Sequence, residues 1–469
     1  MAGVIYPASS RAVTQWLAAA GLGAWAAAIV LAPTPIWKPA MAAPAILIPL
    51  TLWSLAQPSR WLICFFATAF LLPPLPIALG DSGPHVCLLF AGFGLLCGVL
   101  WLPRWQVSTN PVQAPMLALF FILLASVAPA AIHSGATVAA GSLARVALFG
   151  IAVYVFYYTS TGPGSGSGTG EMLQRVYWIA VVSALLACID FYYQLPAPSG
   201  YSPQFVWLES GVYRRAQGVF YDAGTLGNFC AFFLVLIAAA VARPFGREVL
   251  SRKALTAGGA IFFATLVLSY SRSSLLNVLI ALAALAWLNR RRMRLARLTA
   301  VLAIGGAAAA LLTWKLFPEF LIAYWARVSA STEFFFSATE GVLSGRLASW
   351  YSLRDWIAAH PWQALVGIGY KTLPYTNYLG APVVGDNMYL TLLVETGILG
   401  LAVLLWLHIA VLRCSVRAAS SSEPRRALLG TWIFCFWCGQ AVQMFSVDLL
   451  TFWRVLPVYF WVLALVVHE

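Results

Sequence analysis

The sequence predicts an all-α polytopic membrane protein with about 12–14 transmembrane helices and a long extramembrane loop carrying short helices. Three observations carry that prediction. Of the 469 residues, 61% are hydrophobic and 9% are charged, against roughly 25% charged in an ordinary soluble domain. The mean hydropathy is +0.84. Finally, the apolar residues fall into long uninterrupted runs separated by basic or Pro/Gly-rich breaks. So little polar surface cannot cover a globule, and a soluble enzyme is excluded.

A helix needs about 20 apolar residues to cross the hydrocarbon core. Runs of that kind lie near 13–32, 40–56, 61–79, 85–103, 114–133, 142–159, 174–195, 224–242, 254–270, 274–288, 298–316, 388–413, 428–447 and 450–467. Prolines at 33, 35, 39, 73, 74 and 76 blur the ends of the first three, which is why a count of twelve also fits. The first run reads as a span rather than as a cleavable signal peptide. The chain therefore divides into N-terminal transmembrane helices (1–195), a loop with an arginine motif (196–223), further transmembrane helices (224–316), a long loop (317–387) and C-terminal transmembrane helices (388–469). The Gly/Ser tract 161–170 reads as a flexible linker. Seven of the eight cysteines sit within apolar runs, and Cys414 lies just outside one. They do not frame a loop as a disulfide set would, and Cys435–Cys438 reads as packing despite its C-x-x-C spacing.

The formal charge is +13, from 28 Lys and Arg against 15 Asp and Glu. Most of this excess is a topology signal. Arg243, Arg247, Arg252 and Lys253 share one loop, Arg290, Arg291, Arg292, Arg294 and Arg297 a second, and Arg413, Arg417, Arg425 and Arg426 a third. Fourteen spans bring all three loops to one side, which the positive-inside rule makes the cytoplasm. Both termini are then cytoplasmic, the loops 196–223 and 317–387 face outward, and no nucleic-acid partner is implied. The second loop carries aromatic stretches that suit helices lying on the membrane surface.

The remaining cations are outward or within spans, where ionisable groups are costly and mark function by default. Arg214 and Arg215 open the stretch Arg215-Ala-Gln-Gly-Val-Phe-Tyr-Asp222-Ala-Gly224, which leads into a span. Arg272 occupies the turn Ser269-Tyr-Ser-Arg-Ser-Ser274 between two spans. A guanidinium presents a fixed fork of donors that matches phosphate oxygens. Snorkelling to lipid headgroups, or pairing with Asp190 or Asp222, would account for the same arginines. Arg454 and Asp190 lie near span ends, where structural pairing would account for them. Arg346 could hold a phosphate or pair with Asp355 or Glu340. Asp386 suits a general base, and it also suits a helix N-cap before Asn-Met-Tyr-Leu. Glu395 lies nine residues on, about two and a half helical turns, so the two carboxylates face different ways.

The segment 344–400 has more order. It reads Ser344-Gly-Arg346, Trp350, Trp356, His360-Pro361, Gly367-Ile-Gly369, Asp386-Asn-Met-Tyr389-Leu and Glu395-Thr-Gly397. Together with the Arg215 stretch and the Arg272 turn it resembles the O-antigen ligase and repeat-unit polymerase superfamily of bacterial envelope polysaccharide assembly, over roughly residues 215–400. The resemblance implies a GT-C-type membrane glycosyltransferase in the bacterial inner membrane, its active site facing the periplasm. The implied donor is an undecaprenyl-diphosphate-linked glycan, and the acceptor a second lipid-linked glycan or lipid A–core. A flippase and a chain-length regulator would be its partners. In ligases of this family a histidine usually precedes the Asn, whereas this chain has Asp386. That departure favours polymerase over ligase and removes the family's histidine mechanism. His360 does not replace it, because its following proline makes it a helix-ending residue.

On this reading Arg215, Arg272, Arg346 and Arg214 bind pyrophosphate, Asp386 or Glu395 acts as base, and Trp350, Trp356 and Tyr389 contact glycan. No acidic pair of DxD type, zinc spacing or P-loop is present, so neither metal nor nucleotide cofactor is expected. A lipid flippase would show internal repeats, and none is evident.

Overall fold

A computed structural model of the chain describes residues 20–31, 37–75, 84–106, 109–162, 169–197, 201–208, 211–243, 249–290, 346–380 and 382–468, with a few single positions between 314 and 329. The expected span at 298–316 and most of the loop before 346 lie outside the described residues. Two compact units are present, residues 1–61 and 62–469. The first holds helices α1 (Ala20–Val30) and α2 (Trp37–Ala56). α3 (Arg60–Leu71) begins at the boundary.

The second unit is an all-α bundle, as lipid requires of any chain that must satisfy its own backbone polar groups. It contains α4 (Cys87–Leu100), α5 (Gln113–Ala125), α6 (Val127–Ser134), α7 (Ala136–Ser160), α8 (Thr169–Tyr193), α9 (Ala223–Ala242), α10 (Arg252–Leu268) and α11 (Arg272–Asn289). Beyond the long loop come α12 (Arg346–Ala359), α13 (Gln363–Val366), α14 (Met388–Ala419), α15 (Pro424–Gln443) and α16 (Leu456–Val467). Among the described residues, six helical stretches are long and apolar enough to cross a membrane and four shorter apolar helices accompany them. The protein is thus a multi-pass membrane protein.

The span expected at 114–133 is present as Gln113–Ser134, with a turn at Ser126 dividing it into α5 and α6. The Ser126 hydroxyl bonds back to the Leu123 carbonyl at 2.7 Å and also receives the Tyr370 N–H at 3.3 Å. Two elements depart from the sequence reading. The run 450–467 yields only the twelve-residue α16, which starts beside Pro457 after a 3₁₀ turn at Leu449–Thr451. α16 is buried on nearly every side, which suits a helix apolar all round. The loop 196–223 contains a two-stranded antiparallel hairpin, β1 (Phe205–Leu208) and β2 (Gly211–Arg214), which pairs Phe205 with Arg214.

A polar seam ties α9, α11, α15 and α16 together. Asn228 donates to Gln440 Oε1 at 2.6 Å and to Gln443 Oε1 at 2.8 Å, and Tyr459 donates to Asn228 Oδ1 at 2.5 Å. Asn277 donates to Gln443 Oε1 at 2.8 Å, and Gln443 donates to Ser274 Oγ at 3.0 Å. Interhelical hydrogen bonds of this kind hold apolar helices in register where lipid offers no hydrophobic gain.

Candidate functional site

The arginine stretch is built around a glutamine clamp. Gln204 accepts the Ala223 N–H at 3.1 Å and donates to Asp222 Oδ1 at 3.2 Å, while Gln217 donates to the Tyr221 carbonyl at 2.9 Å. Gly218 holds φ at +53°, and a Cβ there would lie 2.7 Å from the Ala187 Cβ on α8. This is the physical reason for glycine in that motif. Asp222 caps α9, accepting the Thr225 N–H at 2.7 Å and its hydroxyl at 2.6 Å. Arg215 then donates through Nε to the Ser269 carbonyl at 2.9 Å, which links the stretch to the end of α10.

The turn after α10 is tight. Tyr270 adopts φ of +51°, and Ser271 and Ser274 hydroxyls lie 2.8 Å apart. Ser271 is the N-cap position of α11, with Arg272 as the first helical residue.

The Gly-x-Gly and Glu-x-Gly elements interlock. α14 breaks at Gly397, which has φ of +74°. The carbonyls near that break accept from the loop, with Ile368 N–H to Val394 at 3.1 Å and Gly369 N–H to Glu395 at 2.9 Å. A Cβ on Gly367 would strike the Glu395 carbonyl, one on Gly369 would strike Ala130, and one on Gly397 would strike the Leu365 carbonyl. The Glu395 carboxylate is fully buried and accepts the Leu373 N–H at 3.2 Å. The interlocked loop carries Lys371, in a left-handed conformation with φ of +57°, to an ion pair with Asp448.

These segments converge on one cavity of about 1380 Å³. Its polar wall includes Arg215, Asp222, Lys371, Asp386, Asp448 and Arg454, with Tyr201 and Tyr221 beside them. The Tyr201 and Tyr221 rings are 5.1 Å apart. Burial raises both phenol pKa values, and the Arg454 charge opposes that rise. The rest of the lining is mainly apolar. α4 supplies Leu88, Ala91, Gly92 and Leu95. α7 supplies Thr137, Gly141, Ala144, Leu148 and Ile151, a single stripe at alternating spacings of three and four that includes small residues, with Arg145 beside it. From Thr137 to Ile151 the stripe runs about 21 Å along the helix. Gly92 and Gly141 have open space where a side chain would begin.

Of the site residues proposed from the sequence, Arg215 and Asp386 line this cavity. Asp386 precedes the helix cap rather than forming it. The N-cap of α14 is Asn387, whose Oδ1 accepts the N–H groups of Tyr389 at 3.0 Å and Leu390 at 3.2 Å. Arg214 and Asp190 form a buried ion pair at 3.3 Å, the pairing that the sequence left open for these arginines, and the hairpin thereby gives Asp190 to Arg214 and not to Arg454. Arg272, Glu395, Trp350, Trp356 and Tyr389 are not among the lining residues. Trp356 stacks on His360 at 4.9 Å within an apolar cluster of Leu353, Ile368, Leu373 and Val394. Tyr389 donates to the Ala441 carbonyl at 2.7 Å, between α14 and α15. His360 ends α12, with Nδ1 3.0 Å from the Trp356 carbonyl. Arg346 starts α12, and its side chain lies outside the described residues. Asp355 pairs with Arg354 at 2.7 Å.

Arg145, Lys371, Asp448 and Arg454 are cavity residues to which the sequence reading gives no role in the site. Arg145 and Arg454 carry a usable signal, being cations within or beside apolar runs. Lys371 and Asp448 are 77 positions apart, and only the fold pairs them.

A comparison with curated proteins finds no match. Residues 257–405 match the family model described as O-antigen ligase. That segment covers α11, the interlocked loop, Asp386 and the first half of α14. Over that segment, about a third of the chain, the protein is similar to the O-antigen ligase family.

Proposed function

We propose that this protein is a glycosyltransferase that polymerises undecaprenyl-diphosphate-linked oligosaccharide repeats at the periplasmic face of the bacterial inner membrane. The observation carrying this reading is the composite cavity, lined by four cations and three carboxylates together with apolar residues of α4 and α7. A prenyl chain along those apolar residues would bring its diphosphate to the cations while its sugars remain in water.

The acceptor sugar hydroxyl attacks the anomeric carbon of the donor. The bond from that carbon to the diphosphate oxygen breaks, a new glycosidic bond forms, and the hydroxyl proton passes to the Asp386 carboxylate. Arg215 meets the charge that develops on the leaving diphosphate, an electrostatic role that requires no metal. Asp448 is held by Lys371 and Asp222 caps α9, which favours Asp386 as the base. Asp386, standing where ligases of this family usually have histidine, favours polymerisation.

The family description favours a second reading, in which the same donor is transferred to lipid A–core. Purified protein given only lipid-diphosphate repeats decides between them. Long chains are expected, whereas product forming only on added lipid A–core would establish the ligase. Activity should survive EDTA, and a loss restored by a divalent ion would overturn metal independence. Asp386→Asn should lower turnover by about 10²–10⁴-fold, and Arg215→Gln by about 10²–10³-fold.

A further inference from the structure

Arg454 lies between the 3₁₀ turn and α16 and is 6% exposed. Its guanidinium sits 4.9 Å from the Phe220 ring centroid, and Nη1 is 3.3 Å from His85 Nε2. That imidazole offers it no lone pair. His85 Nδ1 accepts the Cys87 N–H at 3.1 Å, which leaves the ring proton on Nε2, directed at the Leu72 carbonyl at 3.0 Å. Among the described residues no carboxylate lies within 4.0 Å of Arg454, whereas Arg214 and Lys371 each have one. Burial pulls its pKa down to about 10, so it remains a cation at neutral pH. Asp222, taken up as the cap of α9, acts on that charge only from a distance, and a buried charge with no partner in contact is costly for the fold. Arg454 nevertheless faces the cavity, as do Arg145 and Arg215, and both Arg454 and Arg145 act on the Tyr201 phenol.

We infer that Arg454 is a ligand of the substrate diphosphate, its N–H fork directed at the phosphate oxygens. The inference rests on the reading of this cavity as a lipid-diphosphate site, and it adds a residue from the C-terminal end of the chain to the anion pocket. The entering diphosphate would be the counter-ion of Arg454, paired in two parallel N–H···O bonds.

The test uses the full chain in phosphatidylcholine nanodiscs with farnesyl diphosphate and farnesyl monophosphate as probes, reading affinity and the melting temperature without ligand. Wild type is expected to bind the diphosphate at least about tenfold more tightly than the monophosphate. Arg454→Met should weaken diphosphate binding by about thirtyfold or more while melting no lower than wild type, because it removes a buried charge that has no carboxylate in contact. Arg454→Lys, which keeps the charge without the fork, should fall between them. Unchanged diphosphate affinity in either variant overturns the assignment, and so does a lowered melting temperature with unchanged affinity. If Arg454→Met does not fold, Arg454→Lys decides alone, with about a fivefold or greater loss expected. Competition by phosphatidylglycerol nanodiscs would assign Arg454 to ordinary headgroups and overturn the proposal. Wild type binding neither probe would instead overturn the reading of the cavity itself.

Discussion

At Gly397 a single missing Cβ decides whether the loop bearing Lys371 can dock. The positive φ and the Leu365 carbonyl both oppose a side chain there. Gly397→Ala should therefore cost about 1–3 kcal/mol, read as a lower thermal midpoint in detergent, and activity should fall with it. Glycine at 367 meets the same constraint from the opposite side, against the Glu395 carbonyl. His85 provides a pH test. Burial, reinforced by the Arg454 charge, lowers its pKa from 6.5 to about 4. The unfolded chain takes up this proton below about pH 6.5, while the folded chain resists until about pH 4. Its contribution is thus fully present above pH 6.5 and is lost as the pH falls through that window. A tenfold change in a protonation equilibrium is worth about 1.4 kcal/mol, so the loss approaches about 3 kcal/mol at the acid end. Thermal unfolding followed from pH 7.5 to pH 4 should show this decline, and His85→Gln should flatten it.

Among the elements, α4 and α7 are distinguished by what they leave unfilled. Gly92 and Gly141 face open space, so a phenylalanine at either position should fold. Gly141→Phe is expected to melt no lower than wild type, since glycine is the weaker helix former, yet to lower kcat/KM for a prenyl-linked donor by at least about tenfold. Equal loss with a short-chain donor would argue against this apolar lining as the prenyl site. The apolar runs made these helices legible in the sequence, because lipid permits little else for such composition. Their shared face was not legible, since the residues that meet across it belong to segments far apart in the chain. The same distinction separates the two glycine motifs from their purpose. Their spacing was visible, but the hydrogen bonds that join the loop to the break in α14 arise only when the helix is interrupted. Aromatic residues at 350 and 356 suit sugar platforms on sequence grounds, yet Trp356 is core, because an amphipathic surface helix must also have a buried side.

For the molecule as a whole, the charge asymmetry sets a testable orientation. A fluorescent protein that matures only in the cytoplasm should be bright when fused after residue 469, and an alkaline phosphatase fused there should be inactive. Arg215 and Asp386, named from the sequence, do line the cavity, while Arg145, Lys371 and Arg454 joined them only through tertiary structure. Nothing local marks a lysine whose aspartate partner lies 77 positions away. The apolar lining has a kinetic consequence. On the proposed function, a lipid-linked substrate that enters from the bilayer past α4 and α7 need never pass through bulk water, so its effective concentration is its mole fraction among the surrounding lipids. Diluting the enzyme and donor with more phospholipid at constant total volume should slow the reaction, and enlarging the aqueous phase at constant lipid composition should leave it unchanged. The protein would then measure its substrate in two dimensions, and the bilayer would serve as its solvent for reaction as well as for folding.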